Sequence, residues 1–354
     1  MSWDWNRSGR IDTFYFEKIN PTNLNDCLGE LEGYITGGSL TFNYNSDTKV
    51  SGTLNIVNAP YDLSEKNFLI RIWLQSELDG ETEEIELGTF YFTADLTYNN
   101  GKYDGSIKLK STLCRYTEDT LTKNFPFKKG NKLGAYFKYA IKLFGKWGRI
   151  EGALANRKIK KTNIVKLGQS PMRVLQYIAD KSDGEIMVDS HGVCVLRRHL
   201  DATEKEVSYL IAADEDSVIT STLGITSSFQ EAPNRVMAYT EVNKKVYKGF
   251  AELAKSDGRS KDNMGRYITA VVKVSGAKKP YKKNLAKVAR EKLIKENTVR
   301  TYYEFETYYQ PIEIGEVVQL NYGNITVNGL VTDIDLTIGA GAKMKVKMSA
   351  TKKK

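Results

Sequence analysis

The run Leu330-Val331-Thr332-Asp333-Ile334-Asp335-Leu336-Thr337-Ile338 alternates apolar and polar side chains with a period of two. That period belongs to a β-strand, whose successive side chains point to opposite faces of a sheet. Leu330, Ile334, Leu336 and Ile338 are expected on the core face, with Asp333, Asp335 and Thr337 on the other. The same period recurs at both ends of the chain. Phe68, Ile70, Ile72 and Leu74 alternate with Leu69, Arg71 and Trp73, a strand apolar on both faces. Gly38 to Val57, Ile85 to Leu96, Arg235 to Val242, Tyr267 to Val274, Thr301 to Tyr309, Glu316 to Tyr322 and Lys343 to Met348 read as further strands. Asn45-Ser46-Asp47, Asn58-Ala59-Pro60 and Asn99-Asn100-Gly101 supply turn chemistry between them.

The middle of the chain changes period. Leu133, Tyr136, Phe137, Ala140, Ile141 and Phe144 recur at helical steps and stop at Gly145. Ser170-Pro171 is expected to cap a second helix that buries Met172, Leu175, Ile178 and Ala179 and ends near Gly184. A hairpin then turns at Ser190-His191-Gly192. The expected fold class is mainly β with an α/β insert. Residues 1–118 form a first tube-like β-barrel, 119–225 a small α/β module, and 226–354 a second tube-like β-barrel carrying one helix after Pro280. The two β-regions echo each other weakly, since Ile85-Glu86-Leu87-Gly88-Thr89-Phe90 resembles Ile312-Glu313-Ile314-Gly315-Glu316-Val317.

Charge supports a boundary near residue 120. Residues 1–120 carry 10 Lys+Arg against 19 Asp+Glu, whereas residues 121–200 carry 17 against 5. The odd count of 3 cysteines, Cys27, Cys114 and Cys194, cannot pair completely, so reduced thiols in an intracellular product are expected. The N-terminus lacks the charged and apolar regions of a signal peptide. No stretch approaches the ~20 apolar residues of a membrane helix, and no stable membrane insertion is expected.

Catalytic chemistry is sparse in the sequence. Only 2 histidines occur, His191 and His199, without metal-ligand spacing or a nucleophile elbow around them. His191 reads as a turn residue. Asp183, Glu185 and Asp189 read as solvated loop charges, because neighbours in sequence rarely face each other across a sugar-binding cleft. Gly37-Gly38 and Gly339-Ala340-Gly341 lack any phosphate-loop context and read as turns. No catalytic residue, cofactor or metal is expected. Lys282, Lys287 and Arg290, on a helix opposite Leu285 and Leu293, are the best candidates for phosphate binding. The simpler reading of that basic run, from Lys278 to Lys295, is the solvated face of an amphipathic helix.

Five strings in order resemble the tail hub (baseplate hub) proteins of tailed bacteriophages and phage-tail-like particles. Leu87-Gly88-Thr89-Phe90-Tyr91-Phe92 resembles the family's "lGtF" strand. The helix from Ser170 to Ala179, with the hairpin ending at Leu196-Arg197, looks like its α/β insert. Ala232-Pro233-Asn234-Arg235-Val236 resembles the "pNrV" opening of the second barrel, and Asp262-Asn263-Met264-Gly265-Arg266-Tyr267-Ile268 its "eniGrr" strand. Tyr303 to Thr307 with Gly315 to Leu320 resembles the closing "pGdvv.l" segment.

The resemblance implies a structural, non-enzymatic role at a virion tail tip or baseplate, assembled in the host cytoplasm. Hubs of this kind are homotrimers whose paired barrels make a pseudo-hexameric ring. Such a ring joins the tail tube or distal tail protein to a spike or tail-fibre protein. A tape-measure protein and DNA pass through its lumen. Asp333 and Asp335 are the expected lumen-facing residues. Some relatives carry a further peptidase or lysozyme domain, but this chain reaches Lys354 soon after its last strand, so wall cleavage is expected elsewhere. Two other classes compete with this reading. One is a carbohydrate- or receptor-binding tail-tip protein using Tyr302, Tyr303, Tyr308 and Tyr309, and the other is a cell-wall hydrolase.

Overall fold

In the computed structural model, residues 3, 5, 7, 9–31, 33–63, 67–200, 202, 204–213, 219–227, 232–274, 277, 279–296 and 301–350 are described, residues 294–296 by backbone only. Seven strands open the chain: β1 (Ile11–Ile19), β2 (Cys27–Glu30), β3 (Ile35–Asn43), β4 (Val50–Ala59), β5 (Leu69–Leu78), β6 (Glu81–Asn99) and β7 (Lys102–Ser111). Asp79-Gly80 joins β5 to β6 and Asn100-Gly101 joins β6 to β7, with φ positive at both residues of each turn. Such turns match the right-handed twist of the strands, and Asn, Asp and Gly tolerate them. The asparagine turn is the one expected from Asn99-Asn100-Gly101.

The middle segment contains α1 (Cys114–Glu118), β8 (Phe125–Phe127), α2 (Leu133–Phe144), β9 (Gly148–Ile150), α3 (Gly152–Ala155), β10 (Asn163–Val165), α4 (Met172–Ser182), β11 (Gly184–Val188) and β12 (Cys194–Arg198). The apolar faces of α2 and α4 share one core with Phe127, Ile186 and Leu196. The α4 start differs in detail from the expectation. Pro171 occupies the cap position and no side chain caps the helix, while Asp183 closes it in the left-handed region (φ 46°) just before Gly184.

The remaining elements are β13 (Val207–Ala213), β14 (Gly224–Ser227), β15 (Arg235–Val242), β16 (Lys245–Glu252), α5 (Lys261–Met264), β17 (Thr269–Lys273), α6 (Tyr281–Glu296), β18 (Thr301–Tyr308), β19 (Val317–Tyr322), β20 (Ile325–Ile338) and β21 (Lys343–Ala350). The chain forms two compact units, residues 1–223 with 304–354, and residues 224–303. The segment expected as one barrel, 226–354, is therefore divided between them. Its helix α6 covers a sheet of its own, ordered β16-β15-β17, and buries Leu285, Ala289 and Leu293 with Val236 and Ala238. Gly249 permits the close approach, because a Cβ there would lie 2.3 Å from the Ala286 nitrogen.

In the first unit, strands from both ends of the chain belong to one large, mostly antiparallel sheet. β20 makes this possible by changing partner along its length. Ile325–Leu330 pairs with β19, and Asp333–Ile338 pairs with Gly38–Asn43 of β3. A bulge between Val331 and Asp333 marks the exchange, and bulges bend a strand and increase its twist. The bulge also shifts the phase, so Val331 rather than Leu330 shares the buried side with Ile334, Leu336 and Ile338. Gly37-Gly38, expected as a turn, lies inside β3. The neighbouring strands approach so closely there that a Cβ on Gly38 would lie 2.1 Å from the Thr53 carbonyl oxygen. The core beneath holds Leu40, Leu54, Ile107, Leu109, Ile334, Leu336 and Val346, each stabilising the fold by about 1.5–3 kcal/mol relative to exposure.

Candidate functional site

The other face of this sheet is polar from β18 to β6. Strand register places Asp335 between Lys345 of β21 and Thr41 of β3, and Asp333 between Lys347 and Asn43. Thr41 Oγ1 donates to Asp335 at 2.7 Å, and Asn43 Nδ2 donates to Asp333 at 2.6 Å. On the outer side Lys345 Nζ lies 2.6 Å from Glu304, and Lys343 Nζ lies 3.4 Å from Glu306. The hydrogen bond to Glu304, with Asp335 across the strand, holds the Lys345 ammonium above its usual pKa. Inward from β3 the face continues through Ser51, Thr53 and Asn55 of β4, Ser106, Lys108 and Lys110 of β7, and Thr93 and Asp95 of β6. Cations and anions alternate along it, with small hydroxyl and amide side chains between. The expected aspartates are both on this face; the lysines that balance them were not singled out from sequence.

Two buried ionic groups hold the α/β hairpin against the sheet within the same unit. Glu185 on β11 accepts from Tyr44 Oη, and from Arg197 Nε at 2.8 Å. His199 Nδ1 lies 3.3 Å from it and Lys205 Nζ 4.0 Å. Burial raises the Glu185 pKa, but the hydrogen bonds from Tyr44 and Arg197 outweigh burial and leave it below the usual carboxylate range. Lys205 Nζ donates onward to the Gly315 carbonyl at 2.5 Å, and Lys49 Nζ to the Tyr44 carbonyl at 2.5 Å. Glu185, read from sequence as a solvated loop charge, is instead the centre of a network joining both β-regions to the insert.

The second group sits at the hairpin tip. Arg71 Nε lies 3.0 Å from Glu86, and the guanidinium also donates to Thr89 Oγ1 at 3.0 Å and to the Leu24 carbonyl at 2.8 Å. His191 Nδ1 lies 2.8 Å from the same carboxylate, and Thr112 Oγ1 donates to the Gly192 carbonyl at 2.6 Å. His191 is thus more than a turn residue. It touches the first β-region. Both buried carboxylates are engaged by cations, an arrangement that locks packing rather than one that offers a free acid and base to a substrate. Among the described residues no group of three or more His, Cys, Asp or Glu could hold a metal.

The phosphate-binding candidates Lys282, Lys287 and Arg290 are exposed on α6, in the other unit from Asp333 and Asp335. Lys287 has Glu291 4.0 Å away, one helical turn on. Lys278 lies outside the described residues, as does the acidic run Asp214-Glu215-Asp216. The tyrosines considered for carbohydrate binding do not form one exposed patch, because Tyr309 is buried edge-on against Trp5 at 5.4 Å. No described helix is long and apolar enough to cross a membrane.

No family model and no curated protein matches the chain by sequence. Solved structures do match it. The tail protein from Neisseria meningitidis MC58 aligns with a TM-score of 0.64 at 12% identity, over 95% of this chain and 96% of its own. The chain has a phage tail protein fold. The 43 kDa tail protein of prophage MuSo2 from Shewanella oneidensis aligns at 0.60 and 12% identity, over 96% and 98%. Prophage tail protein gp18 from Listeria monocytogenes EGD-e aligns at 0.52 and 10% identity, over 97% and 95%. At such identities the tail fold is what is shared, and individual side chains are read from this chain alone.

Proposed function

We propose that the chain is a non-enzymatic tail hub, a homotrimeric ring at the tail tip or baseplate that joins a hexameric tube to a threefold spike or fibre. The observation that carries this reading is the polar sheet face running unbroken from the last strands onto the first through the β20–β3 pairing. Two β-lobes per chain, fused side by side in one sheet, give six lobes in a trimer. Their contacts are heterologous and close into a ring. The polar face lines the lumen, and the α/β insert lies outside it.

The lumen chemistry suits transit. Each lysine–phosphate contact would add salt-dependent grip on passing DNA. On this face Lys343 and Lys345 are paired with Glu306 and Glu304, and Lys345 and Lys347 stand opposite Asp335 and Asp333. The surface is close to neutral and hydroxyl-rich, so a duplex or a tape-measure protein slides past. Near-neutrality replaces the acidic lining that the aspartates alone suggest. An electron-microscopy map of assembled tail tips tests the reading. A threefold ring with Asp335 and Thr41 facing the channel supports it; a sixfold ring of whole chains, or a channel walled by Lys282, Lys287 and Arg290, overturns it.

A further inference from the structure

Residues 121–170, in the α/β insert of the first unit, hold 13 Lys+Arg against 1 Asp+Glu. The 11 lysines among them are all exposed. Both arginines have carboxylate partners, Arg149 in Asp189 and Arg157 in Asp183, whereas among the described residues none of the lysines does. The single acid, Glu151, accepts from the Arg198 backbone nitrogen at 2.8 Å.

The charge is laid out on one ribbon and one helix. Residues 125–133 run antiparallel to 157–165, from the β8–β10 pairing to a bridge between Lys132 and Lys158. The inner side of this ribbon buries Phe125, Phe127, Ile159 and Val165 in the core shared with α2 and α4. Lys128, Lys129 and Lys132 on one strand, with Lys158, Lys160 and Lys161 on the other, are left in water. The Leu167 nitrogen donates to Asn124 Oδ1 at 3.0 Å, so the segments carrying Lys123 and Lys166 meet at the other end. On α2 Lys138, Tyr139, Lys142 and Leu143 form an outer stripe, and the Tyr139 ring lies 5.6 Å from Phe125 of the ribbon. Neither the ribbon nor α2 carries an acid. On α4, whose Tyr177 packs on Phe127, exposed Asp180 is matched by exposed Lys181.

Apolar side chains stand among these lysines. Tyr139, Leu143, Ile164 and Leu167 are 48, 44, 51 and 62% exposed, and Ile164 lies opposite exposed Pro126 on the ribbon. Lysines alone fit any polyanion. Lysines with bare apolar groups between them fit a bilayer interface, where cations meet headgroup phosphates and apolar groups enter the acyl boundary. A duplex would take up the charge but offers Leu143, Ile164 and Leu167 little apolar surface. The chain itself supplies no equal and opposite surface. Residues 224–303 carry the same sign, with 18 Lys+Arg against 7 Asp+Glu. Several acids of residues 1–120 are already paired, Asp79 with Arg7, Asp12 with Arg10, Glu86 with Arg71 and Glu118 with Lys110.

We infer that this face of the α/β insert binds an anionic phospholipid bilayer at its surface, without spanning it. The lysines sit at the headgroup phosphates, and Tyr139, Leu143, Ile164 and Leu167 reach the acyl boundary.

Flotation of the full chain with vesicles tests it. Vesicles of phosphatidylglycerol with phosphatidylcholine should carry the chain, phosphatidylcholine alone should not, and added salt should release it. Lys142→Glu with Lys160→Glu should weaken binding about tenfold or more. Lys282→Glu with Lys287→Glu, the same change of net charge on α6, should leave it within about twofold. Ile164→Ser with Leu167→Ser keeps the charge and should still weaken binding severalfold. All these side chains are exposed, so each variant should keep the wild-type unfolding midpoint. Absence of binding, equal binding to phosphatidylcholine alone, or an equal loss in the α6 variant overturns the inference. Indifference to the serine pair overturns it too. Duplex DNA bound in place of vesicles, and released by the Lys142/Lys160 reversal, assigns the face to nucleic acid instead. A self-associated mass lost in that same variant, without vesicle binding, assigns it to a second copy.

Discussion

Arg71 Nε lies 3.0 Å from the Glu86 carboxylate with the two side chains only 9 and 5% exposed, so each charge depends on the other for compensation. Removing one partner of a buried pair leaves the other uncompensated, at a cost of about 3–5 kcal/mol. Arg71→Met should lower stability by that amount in urea unfolding of the first unit. Arg71→Lys should recover only part of it, because Leu24 and Thr89 are bound by separate nitrogens of the guanidinium.

The pH dependence of Glu86 runs opposite to the usual acid case. Burial raises its pKa in the folded state despite Arg71 and His191. Its contribution is therefore fully present below the ordinary glutamate pKa and lost as pH rises through the raised value. Removing Arg71 should move that loss to higher pH and enlarge it. Unfolding midpoints from pH 4 to 8 would show the displaced slope; parallel curves for wild type and Arg71→Met would refute it.

Glu185 behaves in the reverse sense. Its folded pKa is lowered, so its contribution is present above the ordinary glutamate value and is lost as pH falls through the lowered one. Glu185→Gln should flatten the acid limb of the stability curve. It should also cost about 2–4 kcal/mol by leaving Arg197 and Lys205 without their carboxylate.

On α6 burial separates two classes of substitution. Leu285→Ala should cost about 2–5 kcal/mol because Leu285 is fully buried. Gly249→Ala should also loosen the helix, since its Cβ would strike the backbone at Leu285 and Ala286. Lys282→Ala, Lys287→Ala and Arg290→Ala should each stay within about 0.5 kcal/mol of wild type. Thermal unfolding of the full chain, read by a probe on residues 224–303, would rank them.

Thiol labelling offers a simple check on packing. Cys27 is exposed, whereas Cys114 and Cys194 are buried, and burial pushes the Cys114 thiol up to about 11. A maleimide should modify the native chain at Cys27, with Cys114 and Cys194 reacting only on unfolding. Rapid native labelling at Cys194 would contradict the core that holds it.

Local chemistry in the sequence determined the strand periods, the Asn100-Gly101 turn, the α2 and α4 faces, and the burial of Leu285 and Leu293 on α6. Each depends on residues a few positions apart, where period and turn preference act directly. It also placed Asp333 and Asp335 opposite Ile334 and Leu336, because alternation within one strand needs no partner. Tertiary structure decided the rest. The bulge before Asp333 put Leu330 out of phase, and nothing in a single strand signals that it changes partner midway. Gly37-Gly38 looked like a turn because the close approach of Thr53 and Ile338 comes from strands remote in sequence. The same remoteness hid the Glu185 network, whose members run from Tyr44 to Gly315. Thr41 and Asp335 stand 294 residues apart in sequence, and only the pairing of β3 with β20 brings them within 2.7 Å.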